Sequence, residues 1–270
     1  AVHLIETHGD SPFYLNLAHY AVHTPLGAKP ELEKKYEALA DSSYFQHNAT
    51  YAAMIQSVDE SLAKLLAALE RKGILDNTLI IVTSDNGAVH RISGSYPLRK
   101  GKGSEYEGGV RVPLITYWKG HILPNQRNST PVITMDLFST VLDVACVELK
   151  DEKVDGISLL PVIKGEDLKV RPLFWHYPHY HNGGARPYSS VRLGEWKLIK
   201  QYETHTYELY NLKEDIGEKE DLSKKNPDKV NELRGILEKW LKNVDAQLPF
   251  ANANWNSEKE RKTGKYAGVD

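Results

Sequence analysis

A single cysteine, Cys146, stands among 270 residues. That shortage excludes an internal disulfide, though it leaves the redox compartment open. Long apolar runs are missing as well; the longest falls far below the roughly 20 residues that a helical membrane span needs. Charge of one sign is not in excess, because 34 Lys and Arg stand against 36 Asp and Glu. The basic residues are scattered, so no face for nucleic acid or anionic lipid stands out. No internal repeat and no low-complexity segment occurs. The first residues, Ala1-Val-His-Leu-Ile-Glu-Thr-His, show neither a starting Met nor the pattern of a signal peptide. They read as the end of a helix, so a fragment or a processed product is expected.

What is present is ordinary for a folded chain, with 41% hydrophobic and 26% charged residues. The length suits one large domain with a smaller companion. Phe13-Tyr-Leu-Asn-Leu follows a Gly-Asp-Ser-Pro turn and reads as a buried strand. Met54, Ile55, Val58, Leu62, Leu65, Leu66 and Leu69 step by three and four, which marks an amphipathic helix closed by Gly73. Leu79-Ile-Ile-Val-Thr-Ser is a continuous β-branched run, as in a parallel strand covered on both faces. A helix followed by such a strand is half of a βαβ unit, so the expected class is α/β with a doubly wound sheet.

Val112-Pro-Leu-Ile-Thr-Tyr-Trp118 is a further strand candidate. Thr130-Pro131 is expected to open a helix that holds Cys146 among Leu137, Phe138, Val141, Leu142 and Ala145, as a buried, inert thiol. Further on, Leu173-Phe-Trp, Ser189-Ser-Val-Arg-Leu, Trp196-Lys-Leu-Ile and Tyr207-Glu-Leu-Tyr alternate with turns and predict a small antiparallel sheet. Asn226-Pro227 caps a last helix with Val230, Leu233, Leu237, Trp240 and Leu241 on one side. The expected division is 1–172 for the α/β part, 173–250 for the antiparallel sheet with its helix, and 251–270 for a polar tail.

Three places could carry chemistry. Asp85-Asn86 falls at the carboxyl end of a predicted strand, where open α/β sheets bind ligands. A carboxylate beside an amide offers hard oxygens to Ca²⁺ or Mg²⁺, although Asp-Asn-Gly is also plain turn chemistry. Lys100-Gly-Lys102-Gly-Ser-Glu-Tyr-Glu-Gly-Gly lets backbone approach a ligand and presents ammonium groups to an oxyanion; the alternative is a flexible, solvated loop. It lacks the spacing of a Walker A loop. His23, before Thr24-Pro25, could hydrogen-bond an anion or protonate a leaving oxygen, or be simply structural. His176, His179 and His181 cluster later, without the cysteine or carboxylate spacing of a transition-metal site.

Taken together, these strings resemble the sulfatase family, in particular bacterial arylsulfatase and N-acetylgalactosamine-6-sulfatase-like enzymes. Phe13-Tyr-Leu-Asn-Leu-Ala-His-Tyr-Ala-Val-His-Thr-Pro is similar to that family's strand and histidine loop. Val82-Thr-Ser-Asp-Asn-Gly and Leu98-Arg-Lys-Gly-Lys-Gly-Ser-Glu-Tyr-Glu-Gly-Gly-Val-Arg-Val-Pro resemble its metal strand and lysine loop. Arg192-Leu-Gly-Glu-Trp-Lys-Leu-Ile and Glu208-Leu-Tyr-Asn-Leu-Lys-Glu-Asp resemble its C-terminal sheet. The resemblance spans about residues 10–248.

The resemblance implies a partial alkaline-phosphatase-like doubly wound sheet, a smaller C-terminal antiparallel sheet plus helix, and hydrolysis of sulfate esters. It makes Asp85 and Asn86 metal ligands for Ca²⁺, with Mg²⁺ as the alternative. Lys102 and His23 hold the sulfate and the departing oxygen, and Arg99 and Lys100 support them. Trp175, His176, His179, Tyr180, His181 and Arg186 lie where a substrate loop would read a sulfated sugar, with a solvated loop as the equal alternative. The family's nucleophile is a formylglycine made within a Cys/Ser-x-Pro/Ala-x-Arg motif. The chain is read as lacking that motif, along with two acidic metal ligands and a Lys and His of the sulfate pocket. All of these are expected in a missing N-terminal half, so this chain alone is expected to be inactive. The setting implied is periplasmic or secreted, and the partner a sulfated small molecule or glycan. A phosphoesterase or phosphonate hydrolase of the same superfamily, or a non-catalytic anion-binding remnant, are the alternatives.

Overall fold

A computed structural model describes residues 1–44, 46–148, 153–181 and 185–254. The tail expected at 251–270 lies outside the described residues from 255 onward. The chain separates into two compact units. The first comprises Ala1–Thr83, Arg91–Gly94 and Pro113–Arg127; the second comprises Ser84–His90, Ser95–Val112 and Asn128–Asp270.

In the first unit, α1 (Val2–Thr7), α2 (Pro30–Glu37) and α3 (Ala49–Arg71) are followed by β1 (Ile80–Thr83) and β2 (Leu114–Tyr117). Asn48 caps α3 by accepting from the Tyr51 amide at 2.9 Å. At the other end Gly73 takes φ +74°, the Gly73 amide donates to the Glu70 carbonyl and the Ile74 amide to that of Leu69. That pair of bonds is a Schellman turn, which needs the left-handed residue glycine supplies. Ile5, Ala68 and Leu69 form the buried centre, with Phe13, Leu15, Ile74 and Ile80 packed around it.

Two expectations fail here. Residues 13–17 form no strand, and Tyr14 and Leu17 are exposed. An extended segment persists as a strand only when a neighbour takes its amides and carbonyls, and among the described residues this one finds none in a ladder. β1 pairs with β2 antiparallel, Ile80 opposite Tyr117 and Thr83 opposite Leu114. Its β-branched run gives an extended strand of either kind; the partner, not the composition, decides the direction.

The second unit contains α4 (Glu107–Val110), α5 (Met135–Val144), α6 (Leu160–Ile163), the strands β3 (Pro172–Tyr177), β4 (Tyr188–Leu193), β5 (Trp196–Gln201) and β6 (Thr206–Asn211), and α7 (Pro227–Asn243). The four strands form one antiparallel sheet in sequence order, as their turn-separated pattern predicts. Proline opens α7 after Asn226, also as predicted. Leu233, Leu237 and Leu241 of α7 bury against Val191, Leu198 and Leu209 on one sheet face.

The expectation for Cys146 is overturned. α5 begins at Met135 rather than at Thr130-Pro131, and it ends at Val144. The Cys146 amide donates to Asp143 and the Val147 amide to Leu142, with Cys146 at φ +54°. This is again a Schellman turn, and it carries Cys146 off the apolar face into solvent. Among the described residues no helix is long and apolar enough to cross a membrane.

Candidate functional site

Within the second unit, the loop after β1 and the lysine loop are interlocked through their backbones. The Gly87 amide donates to the Gly109 carbonyl at 3.0 Å, and the Lys102 amide to the Ala88 carbonyl at 2.8 Å. The Gly108 amide closes the base of the lysine loop onto the Arg99 carbonyl at 2.9 Å. These approaches tolerate no side chain. A Cβ at Gly87 would stand 1.8 Å from the Gly108 oxygen, and one at Gly101 2.3 Å from the Ala88 oxygen. Asp85 and Asn86, one exposed and one half-buried, are thereby fixed to the same scaffold as half-buried Lys102.

The base of the lysine loop rests on the sheet face away from α7. Alternation along the strands puts Lys197, Ile199 and Gln201 on that face, level with Arg192 and Tyr210 on the neighbouring strands. Lys197 is wholly buried and places Nζ 3.0 Å from Glu107 Oε1. Glu218 Oε1 lies 2.9 Å from the same nitrogen, off the line of a hydrogen bond. Glu218 Oε2 accepts from the Glu107 amide at 2.6 Å. Arg192 and Arg111 reach Glu107 Oε2 at 3.4 and 3.6 Å.

Burial pushes the Glu107 carboxyl up, but Lys197, then Arg192 and Arg111, outweigh it and hold it below the usual range. For Glu218 burial wins over the pull of Lys197, and its carboxyl lies above that range. Arg99 adds a further tie. Its guanidinium lies 3.8 Å from the centre of the Tyr106 ring and donates to Tyr210 Oη at 2.9 Å and to the Glu218 carbonyl at 2.8 Å. Gln201 donates to Glu105 Oε1 at 2.9 Å.

Of His176, His179, His181 and Arg186, the structure brings one to the lysine loop. The Ala185 amide donates to the Gly103 carbonyl at 2.9 Å, and the His181 amide to the Ala185 carbonyl at 3.0 Å. The His181 ring then covers Gly103 so closely that a Cβ there would stand 1.9 Å from Nδ1. His179 is exposed, edge-on to Tyr177 with centroids 5.3 Å apart. His176 is one residue out of phase with the lysine-loop face, and its ring nitrogens meet Ser189 Oγ at 2.7 Å and the Gln247 carbonyl at 2.9 Å. Arg186 pairs with Glu203 at 3.2 Å, and Tyr180 Oη donates to the same carboxylate. His23 lies in the first unit, exposed, with Nδ1 2.7 Å from the Thr24 carbonyl.

Ser95-Tyr96-Pro97-Leu98-Arg99 does have the Ser-x-Pro-x-Arg spacing, which corrects the reading that the chain lacks it. Its arginine is the one held by Tyr106, Tyr210 and Glu218. For a metal, Asp85 and Asn86 offer the right hard oxygens, but two side chains fall short of the roughly six to eight that Ca²⁺ takes. Among the described residues no group of three or more His, Cys, Asp or Glu could hold one. The described residues therefore do not make a metal site by themselves.

Sequence reasoning missed Glu107, Lys197 and Glu218. One signal was there: Lys197 sits two residues before Ile199 and so shares its face. A lysine in a strand is more often solvated, which hides that signal.

The comparisons with known proteins give the family. The family model for sulfatases matches residues 1–147, and that for the C-terminal part of N-sulphoglucosamine sulphohydrolase matches residues 101–247. A sulfatase from Formosa agariphila is 36% identical over 86% of this chain and 46% of its own length. Among solved structures, Ps i-CgsB in complex with k-i-k-neocarrahexaose superposes with a TM-score of 0.79 at 31% identity, over 99% of this chain and 58% of that one. BT4656, in complex with its substrate D-glucosamine-2-N,6-O-disulfate, gives a TM-score of 0.60 at 27% identity, over 74% and 41%. The chain thus spans about half the length of the curated relatives it matches. Its α/β architecture is that of solved sulfatases with the alkaline-phosphatase-like fold, and the chain belongs to the sulfatase family.

Proposed function

We propose that this chain contributes the leaving-group side of a site that hydrolyses sulfate esters of sugars. The observation that carries the reading is the interlock of the Asp85-Asn86-Gly87 loop with the Lys102 loop. Cleaving a sulfate ester builds negative charge on the bridging oxygen, so a cation held in advance lowers the barrier more than one that must be recruited. Lys102 neutralises a sulfate oxygen and the leaving oxygen. His23 holds the sulfate as well. Its Nδ1 donates to the Thr24 carbonyl, which leaves Nε2 to face the departing oxygen, and in the imidazolium form Nε2 gives that oxygen its proton.

His181, laid over Gly103 beside Lys102, is the residue best placed to read the sugar. His179 and Arg186 stand further out on the same connection. Asp85 and Asn86 contribute to a Ca²⁺ or Mg²⁺ site that other residues complete, and that ion would supply Lewis-acid stabilisation of a sulfate oxygen. The nucleophile is a formylglycine supplied by sequence outside this chain, and the whole protein acts in the periplasm or outside the cell. The family match and the sugar-sulfate complex of a structural neighbour support this reading.

Calorimetric titration of the chain with inorganic sulfate and with a sulfated monosaccharide tests it. Lys102→Ala is expected to weaken both, and His181→Ala only the sugar. Nitrophenyl sulfate is expected to go unhydrolysed by these 270 residues alone. Binding indifferent to Lys102→Ala, or cleavage of nitrophenyl phosphate instead, would overturn the proposal.

A further inference from the structure

We infer that Glu107, Lys197 and Glu218 are positioning residues, which set where Lys102 and Asp85-Asn86 stand by clamping the base of the lysine loop to the sheet. The inference rests on the reading of Lys102 as the anion contact. Asp85 is exposed and Lys102 half-buried, and the Gly87 and Lys102 amides tie their two loops to each other. Those bonds hold the loops to each other; they do not fix the pair to anything rigid.

The rigid support is the sheet, and beside the Arg99 and Gln201 bonds and the tyrosine packing the fully buried link to it is the charge cluster on Lys197. Lys197 projects from the second position of β5, between β4 and β6, with no exposed surface. It meets Glu107, the first residue of α4, and Glu218, whose other oxygen takes the Glu107 amide. Glu107 is followed directly by Gly108 and Gly109, which bond to Arg99 and receive Gly87. A displacement at Glu107 therefore passes through two residues to the metal-side loop, and through the Ala88 carbonyl to the Lys102 amide.

A purely packing role is a poorer account of these residues. Apolar side chains of similar volume bury a contact at least as well, because charges give up their hydration on burial. What an ion-paired anchor adds is direction: the bonds hold only within a narrow range of distance and angle.

Amide hydrogen exchange on the whole chain tests the idea. In Lys197→Met, the Gly87, Lys102, Gly108 and Gly109 amides are expected to exchange at least about tenfold faster, while amides between β5 and β6 and within α7 keep their protection. If Lys197→Met does not fold, Glu218→Gln carries the same test. The double variant Glu107→Gln with Lys197→Met removes one of the two stranded carboxylates and so the repulsion between them. It is expected to regain overall stability while the loop amides stay fast.

Uniform acceleration throughout the unit, or loop protection restored by the double variant, would overturn the inference in favour of plain packing. Sulfate titration separates the underlying reading. If Lys102→Ala leaves sulfate binding unchanged while loop exchange responds to Lys197→Met, the anchor stands and the anion reading falls.

Discussion

The two faces of the four-stranded sheet are buried by opposite means. Toward α7 the contact is apolar: Val191, Leu198, Leu209, Leu233 and Leu237 are wholly buried, and Phe174 stacks flat on Trp240 with ring centroids 4.5 Å apart. Toward the lysine loop, Tyr106, Tyr188, Ile199 and Tyr210 frame a set of buried charges centred on Lys197. Apolar burial is non-directional and forgives small shifts, whereas a charge out of water is tolerated only with its partners in place. One face makes the unit cohere. The other fixes the lysine loop to the sheet.

The comparison is broken most strongly by removing one charge. Lys197→Met leaves Glu107 and Glu218 close together without their shared cation, and is expected to cost ~3–5 kcal/mol in urea unfolding. Leu237→Ala on the dry face opens a cavity and is expected to cost ~2–5 kcal/mol. The magnitudes overlap, so the distinguishing result is recovery. A second substitution at Glu107 should restore much of the Lys197→Met loss, whereas no polar change should rescue Leu237→Ala. Equal recovery in both would erase the distinction between the faces.

Acid separates the faces next. The groups that face Glu107 and Glu218 are Lys197 of β5, Arg192 of β4 and Arg111 just after α4. Glu107 titrates below its ordinary value when folded, so its contribution is present above about pH 4.3 and is lost as pH falls through the lowered value. Glu218 titrates above it, so its contribution is present below about pH 4.3 and is lost as pH rises through the raised value. Urea midpoints should therefore show Glu107→Gln flattening the acid-side decline and Glu218→Gln the opposite one. Leu237→Ala should lower the whole curve without changing its shape.

Much of this contrast was legible in the residues, but unevenly. The strands β3 to β6 and helix α7 could be read because alternation and three-four spacing are local and the turns between them are marked. Helix ends were less legible: α5 stops at a left-handed Cys146, a position normally advertised by glycine, so the apolar spacing read past the true end. The direction of β1 and the loss of a strand at 13–17 turned on pairing partners, which no local pattern encodes. Asp85, Asn86 and Lys102 were singled out as candidates by residue type and by resemblance. Glu107, Lys197 and Glu218 escaped because a buried ion pair joins Lys197 to a glutamate 90 positions away, which no local pattern shows.

A smaller effect sharpens the apolar side. Phe174 and Trp240 come from β3 and α7, and their stacked rings should couple by ~0.5–1.5 kcal/mol beyond the area each buries. A double-mutant cycle with leucine at both positions measures that term directly. A coupling near zero would make the dry face a matter of area alone.

The least effect is expected at Ser95. Its spacing to Pro97 and Arg99 is that of a formylglycine motif, yet the structure assigns the string another task. The Leu98 amide turns back onto the Ser95 carbonyl at 2.8 Å, and Arg99 is stacked on Tyr106 and bonded to Tyr210 and Glu218. The string is thus the first leg of the lysine loop, and its arginine belongs to the charged face. Ser95→Ala should change stability by less than about 0.5 kcal/mol and leave loop exchange as it was. Intact mass after co-expression with a sulfatase maturase that oxidises serine should show no loss of the two hydrogens that convert serine to the aldehyde. An aldehyde at Ser95 would mean that this leg carries the nucleophile itself, and the charged face would then be holding a reacting group rather than only the loop that attends one.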